Sequence, residues 1–84
     1  MIYRLTQHAR IRMEQADISE DMLQLTLEEP EGHIWDESSK FIYQRLFQRP
    51  NGKPFLLRAV VDEAQIPVSV VTVYAASRYY RYLK

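Results

Sequence analysis

The chain has 84 residues, a formal net charge of zero, 46% apolar residues and no cysteine. That is material for one domain with one modest core, and it excludes a disulfide framework, a thiolate metal site and a strongly basic nucleic-acid binder. Its two histidines, His8 and His33, lack metal-ligand spacing, no apolar run approaches a membrane span, and no signal-peptide core begins the chain, so the expected setting is cytoplasmic, without cofactor, metal or membrane.

Charge is unevenly spread. Residues 14 to 37 hold nine of the eleven acids and no lysine or arginine. The cations lie in the first thirteen residues and from Lys40 onward. A molecule with one basic side can hold a phosphate backbone while its acidic side faces water or a partner. The competing explanation is that acids gather at helix starts for dipole reasons.

Thr6 is placed to cap a first helix over about residues 7 to 16, with Leu5, Ala9, Met13 and Ala16 as its apolar stripe. Arg10 and Glu14 point away from that stripe, as an exposed pair. His8 and Arg12 fall four residues apart at its edge, so a group that exchanges a proton near neutrality sits beside a permanent cation. Asp17 and Ile18 break the helix, and Ser19 caps a second one to about Glu28. Its staple is Ile18 with Leu23, its apolar face is Met22, Leu23, Leu25 and Leu27, and Pro30 and Gly32 end it.

From Gly32 the pattern turns to strands: 33 to 35, 40 to 48, 55 to 62 and 68 to 74. The expected fold is α+β, two N-terminal helices packed on an antiparallel meander of three to four strands, as a single domain over 1–84. With a two-residue turn at Asn51-Gly52, Arg45 would oppose Arg58 on a mixed face with Tyr43, Phe47, Leu56, Val60, Val70 and Tyr74. Ile42, Leu46, Phe55, Leu57, Ala59, Val61, Val71 and Val73 would then face the helices. A one-residue slip would separate the two arginines.

The His8-Ala9-Arg10-x-Arg12-Met13 helix, the Ile18-Ser19-Glu20 restart, and the strand Val70 to Tyr74 followed by Ser77-Arg78 resemble the small bacterial family known as domain of unknown function 4258. That family is similar to BrnT and, more distantly, to RelE-like ribonuclease toxins. The resemblance implies a toxin of a toxin–antitoxin pair, held by a small antitoxin encoded nearby. It also implies metal-independent RNA cleavage by attack of the 2′-hydroxyl. His8 would be the general acid or base, Arg12 would hold the scissile phosphate, and Tyr74 would stack on a base or donate to the phosphate. Ser77 and Arg78 match the segment after the strand; Arg45, Arg58 and Arg81 are added as RNA- or phosphate-binding cations. Two positions depart from the family pattern, Ala16 and Ala75, where arginine and another basic residue are expected.

Each residue also has a structural reading. His8 would be hydrogen-bonded locally near the helix start, Arg12 paired with an acid of the second helix, and Arg45 and Arg58 solvated on snorkelling stems. Tyr74 would be packing, His33 and Trp35 structural, and the tail Arg78 to Lys84 docked through its tyrosines. The rival functions are a catalytically retired module binding protein or RNA, and a domain that self-associates through an edge strand or that tail.

Overall fold

The computed structural model describes residues 1–36 and 38–77. In chain order these form β1 (Tyr3–Leu5), α1 (Gln7–Ala16), α2 (Glu20–Glu28), β2 (Gly32–Asp36), β3 (Lys40–Gln48), β4 (Pro54–Asp62) and β5 (Val68–Ala76). The five strands make one sheet in the order β1-β5-β4-β3-β2, with both helices on one face. The fold is therefore α+β, but the sheet is mixed and larger than a three- to four-strand meander. The added strand is β1, which pairs in parallel with β5 from Tyr3↔Val68 to Leu5↔Val70. Three residues carry too little periodicity to announce a strand; only its partner makes it one.

Both helices start and stop where the side-chain chemistry directs. The Thr6 hydroxyl accepts the Ala9 N–H at 3.1 Å and itself donates to the Val71 carbonyl at 2.9 Å, so one cap also fastens α1 to β5. Asp17 ends α1 in the left-handed region (φ 55°), and the Ile18 N–H closes back on the Met13 carbonyl at 2.9 Å. Asp tolerates that conformation better than most side chains. Ser19 caps α2 by accepting the Met22 N–H at 3.2 Å. The predicted stripe of α1 is correct, since Ala9 and Met13 are buried and Ala16 and Leu5 pack against the core. On α2 the fully buried Thr26 joins Leu23 and Leu27; its hydroxyl donates to the Met22 carbonyl at 2.8 Å, which lets a polar residue sit inside.

The β3–β4 register differs from the expectation. Gln44, not Arg45, opposes Arg58, and Arg45 opposes Leu57. The hairpin has a three-residue loop: the Gly52 N–H donates to the Arg49 carbonyl and the Arg49 N–H to the Lys53 carbonyl, both at 2.8 Å. Pro50 decides this. Its ring suits the first corner of an ordinary turn, and it has no N–H for the ladder position that a two-residue loop would give it. Gly52, at φ 84°, then supplies the left-handed residue that closes the loop. The slip turns all of β3 over, so Phe41, Tyr43 and Phe47 join Phe55, Leu57, Ala59 and Val61 towards the helices. Ile42 and Leu46 take the other face. A bulge between Val60 and Val61 similarly brings Val70 into the core.

At the far edge, β2 is tied to the β4–β5 connection by a polar clasp. One oxygen of Glu63 lies 2.7 Å from His33 Nε2 and accepts the Tyr43 hydroxyl at 2.9 Å. The His33 ring stacks on Tyr43 at a centroid distance of 4.4 Å. Burial first, then the hydrogen bond to and the charge of Glu63, push the Tyr43 phenol from 10.0 up to about 12. A phenol raised on folding favours the native state below its unfolded value, and that contribution fades as pH climbs from 10.0 towards about 12. Phenolate absorbance should accordingly reveal one tyrosine titrating near 12. Glu63→Gln should bring it down, and a titration with no such late tyrosine would contradict the clasp.

Candidate functional site

The resemblance directs attention to α1 and the end of β5, and the structure brings part of that set together. Helix α1 packs along β5, burying Ala9 and Met13 against the sheet and leaving His8 and Arg12 exposed. Where the last turn of α1 passes β5, Arg12, Gln15, Ala16, Val73, Tyr74 and Ala75 line an open hollow of about 200 Å³. Tyr74 borders this hollow only as the β5 residue between Val73 and Ala75. Ala16 and Ala75, the two departures from the family pattern, line the same hollow.

His8 is not among the lining residues. It lies one turn before Arg12 on α1, close to 6 Å along the axis by helix geometry, at about 1.5 Å rise per residue. Among the described residues the side chains of His8 and Arg12 form no hydrogen bond or ion pair, and the expected Arg10–Glu14 pair does not form. The anticipated local bond of His8 and the anticipated pairing of Arg12 with an acid of α2 are likewise absent there. Both side chains are exposed.

The Tyr74 side chain does not enter the hollow: Val73 and Ala75 face the helices, whereas Tyr74 points with its cross-strand partner Arg58 to the other face of the sheet, so its expected role at the phosphate is corrected. Its hydroxyl accepts from Arg58 Nη1 at 2.7 Å, while Arg58 Nε donates to Gln44 Oε1 at 3.1 Å. Arg58 and Gln44 are buried, and the guanidinium lies 5.7 Å from the Tyr74 ring centroid. The phenol accepts this bond through a lone pair and so keeps its own proton for a further acceptor. Gln44, Arg58 and Tyr74 thus form one hydrogen-bonded set on the face away from the helices. Gly32 is part of the same construction: a Cβ there would come within 2.7 Å of Gln44 Cγ, so the Gln44 side chain crosses over the glycine on its way to Arg58.

The remaining candidates disperse. Arg45 sits on the opposite face from Arg58, and its Nη1 donates to the Glu29 carbonyl at the end of α2, a natural place for a cation. The cationic pair expected from the two-residue turn does not form. Ser77 lines a second hollow together with Arg49 and Lys53, and Arg78 and Arg81 lie outside the described residues. Sequence reasoning passed over Arg49 and Lys53, whose only local signal was their place on either side of the Pro50-Asn51-Gly52 turn.

The arrangement is a small α+β domain with a hollow between α1 and β5 at one sheet end, lined in part by Arg12. No family model, no curated protein and no solved structure matches this chain. Among the described residues, no helix is long and apolar enough to cross a membrane.

Proposed function

We propose that this chain is an RNA-directed domain of the RelE/BrnT-like toxin type, cleaving RNA without a metal and held in check by a small antitoxin protein. The observation that carries the reading is Arg12, its side chain without a partner among the described residues, at a hollow between α1 and β5 and one turn from an exposed His8. In the reaction the 2′-hydroxyl attacks the adjacent phosphorus, the P–O5′ bond breaks, and a 2′,3′-cyclic phosphate and a 5′-hydroxyl result. Arg12 neutralises the non-bridging oxygens as charge builds on them. His8 takes the proton of the nucleophile or returns one to the leaving oxygen. Tyr74, turned to Arg58 on the other face of the sheet, takes no part in the step.

The test is incubation of the purified protein with a labelled single-stranded RNA, with and without chelator, across about pH 5 to 9, the range in which an imidazole changes charge. Chelator-insensitive cleavage that leaves cyclic phosphate ends, and that His8→Ala and Arg12→Ala strongly reduce, is expected. Activity no greater than that of the two variants rejects the nuclease.

A second reading rests on Ala16 and Ala75 lining the hollow: a retired member of the fold that binds RNA or protein without cutting. In that case Ala16→Arg, which adds a cation at the lining, should tighten RNA binding without producing cleavage, and overexpression should leave growth unharmed. Growth arrest relieved by co-expressing the neighbouring small protein favours the toxin.

A further inference from the structure

We propose that the β3–β4 hairpin is the backbone-binding arm of this site, with Arg49 and Lys53 continuing from Arg12 a track for the phosphodiesters of single-stranded RNA. The inference rests on the RNA-directed reading and adds the route of the strand and two residues to hold it. A second hollow, of about 300 Å³, is lined by Arg49, Asn51, Lys53, Pro54, Phe55, Ala75 and Ser77. Ala75 belongs to this hollow and to the one at Arg12, so the two adjoin across a single residue of β5. Two small adjoining hollows suit consecutive units of one strand better than two paired strands.

The cations along this line are available and in part preorganised. The Arg49 guanidinium carbon lies 4.1 Å from the Phe55 ring centroid, and Nη1 donates to the Asp17 carbonyl at 3.4 Å. Stacking fixes the plane of the group, while a guanidinium with five N–H donors keeps most of them for another acceptor. Among the described residues Arg12, Arg49 and Lys53 make no ion pair with a carboxylate, whereas the two ion pairs present there involve the N-terminus and His33. Asp17 is the acid whose backbone touches the track, and its carboxylate lowers the local potential. The three-residue loop matters too, because it sets Arg49 and Lys53 as the closing pair of the hairpin at the end of β5 rather than one position along.

The experiment measures binding of a fluorescent single-stranded RNA of about ten nucleotides by anisotropy over a salt series, using the full chain. Variants are Arg49→Gln, which keeps a stem over Phe55, Lys53→Glu, the double variant, and Asp17→Asn, which still tolerates the left-handed conformation; melting curves confirm folding. Each phosphate that a variant no longer neutralises should flatten the log–log salt dependence by about 0.7, and the double variant should bind about ten-fold more weakly at low salt. Asp17→Asn should bind more tightly. These shifts support the track whether or not cleavage is seen. If the hairpin variants bind with wild-type affinity and slope while Arg12→Ala does not, the arm is wrong and the reading of the Arg12 hollow survives. If wild-type protein binds no RNA at low salt, both are overturned.

Discussion

Arg12→Ala is expected to lower RNA cleavage by about 10²- to 10³-fold, the usual loss when one preorganised donor to a developing oxyanion is removed. The effect should fall on kcat as well as on binding, because the cation meets both the ground-state phosphate charge and the further charge built up in the transition state. Melting should hardly move. The Arg12 side chain is exposed and makes no hydrogen bond or ion pair among the described residues, so its loss orphans nothing there. Surface changes of this kind alter stability by less than about 0.5 kcal/mol. Arg12→Lys should fall between the two proteins, since an ammonium keeps the charge but not the planar fork. Cleavage kinetics and a thermal melt on the same preparations check both halves. A variant that loses stability and activity together would instead assign Arg12 a structural role.

The largest stability effect is expected at Leu57→Ala. Leu57 is 0% exposed in the middle of β4, on the face that receives both helices, with Tyr43, Phe55, Ala59 and Leu23 in the same core. Truncation there removes buried methyl groups and leaves a cavity that a sheet interior closes poorly, a cost of about 2–5 kcal/mol. For a domain of this size each kcal/mol lowers Tm by about 4–8 °C, so the variant should melt at least about 10 °C below the parent. That is a large part of a total stability of about 5–15 kcal/mol. Ile66→Ala, at a residue 96% exposed, is the control and should change Tm little. Comparable losses from the two would mean that the core lies elsewhere.

The helices were legible because their signals are local. Thr6 and Ser19 are capping hydroxyls, the alternation of Ala9, Met13 and Ala16 marks a buried stripe, and the Asp17-Ile18 break needs no distant partner to be read. The sheet was legible only in part. Alternation located β2 to β5, but it cannot say which of two faces is inward when both carry apolar side chains, as β3 does. There Tyr43 and Phe47 alternate with Ile42 and Leu46, and the face was settled by one proline in the turn. The bulge at Val60/Val61 likewise has no signature in composition.

The candidate site divides along the same line. The amino-acid order by itself determined that His8 and Arg12 share a side of α1, because a helix imposes that spacing on any residues it contains. It also fixed that Tyr74 belongs to the closing strand. Only the tertiary structure decided that Arg12 lies at a hollow with Ala16 and Ala75, that Arg45 is turned to the end of α2 and that Tyr74 is engaged with Arg58 and Gln44 on the other face. It alone brought Arg49 and Lys53 to the same end of β5. The physical reason is reach: backbone propensities act over three or four residues, whereas pairing register and helix placement couple residues dozens of positions apart.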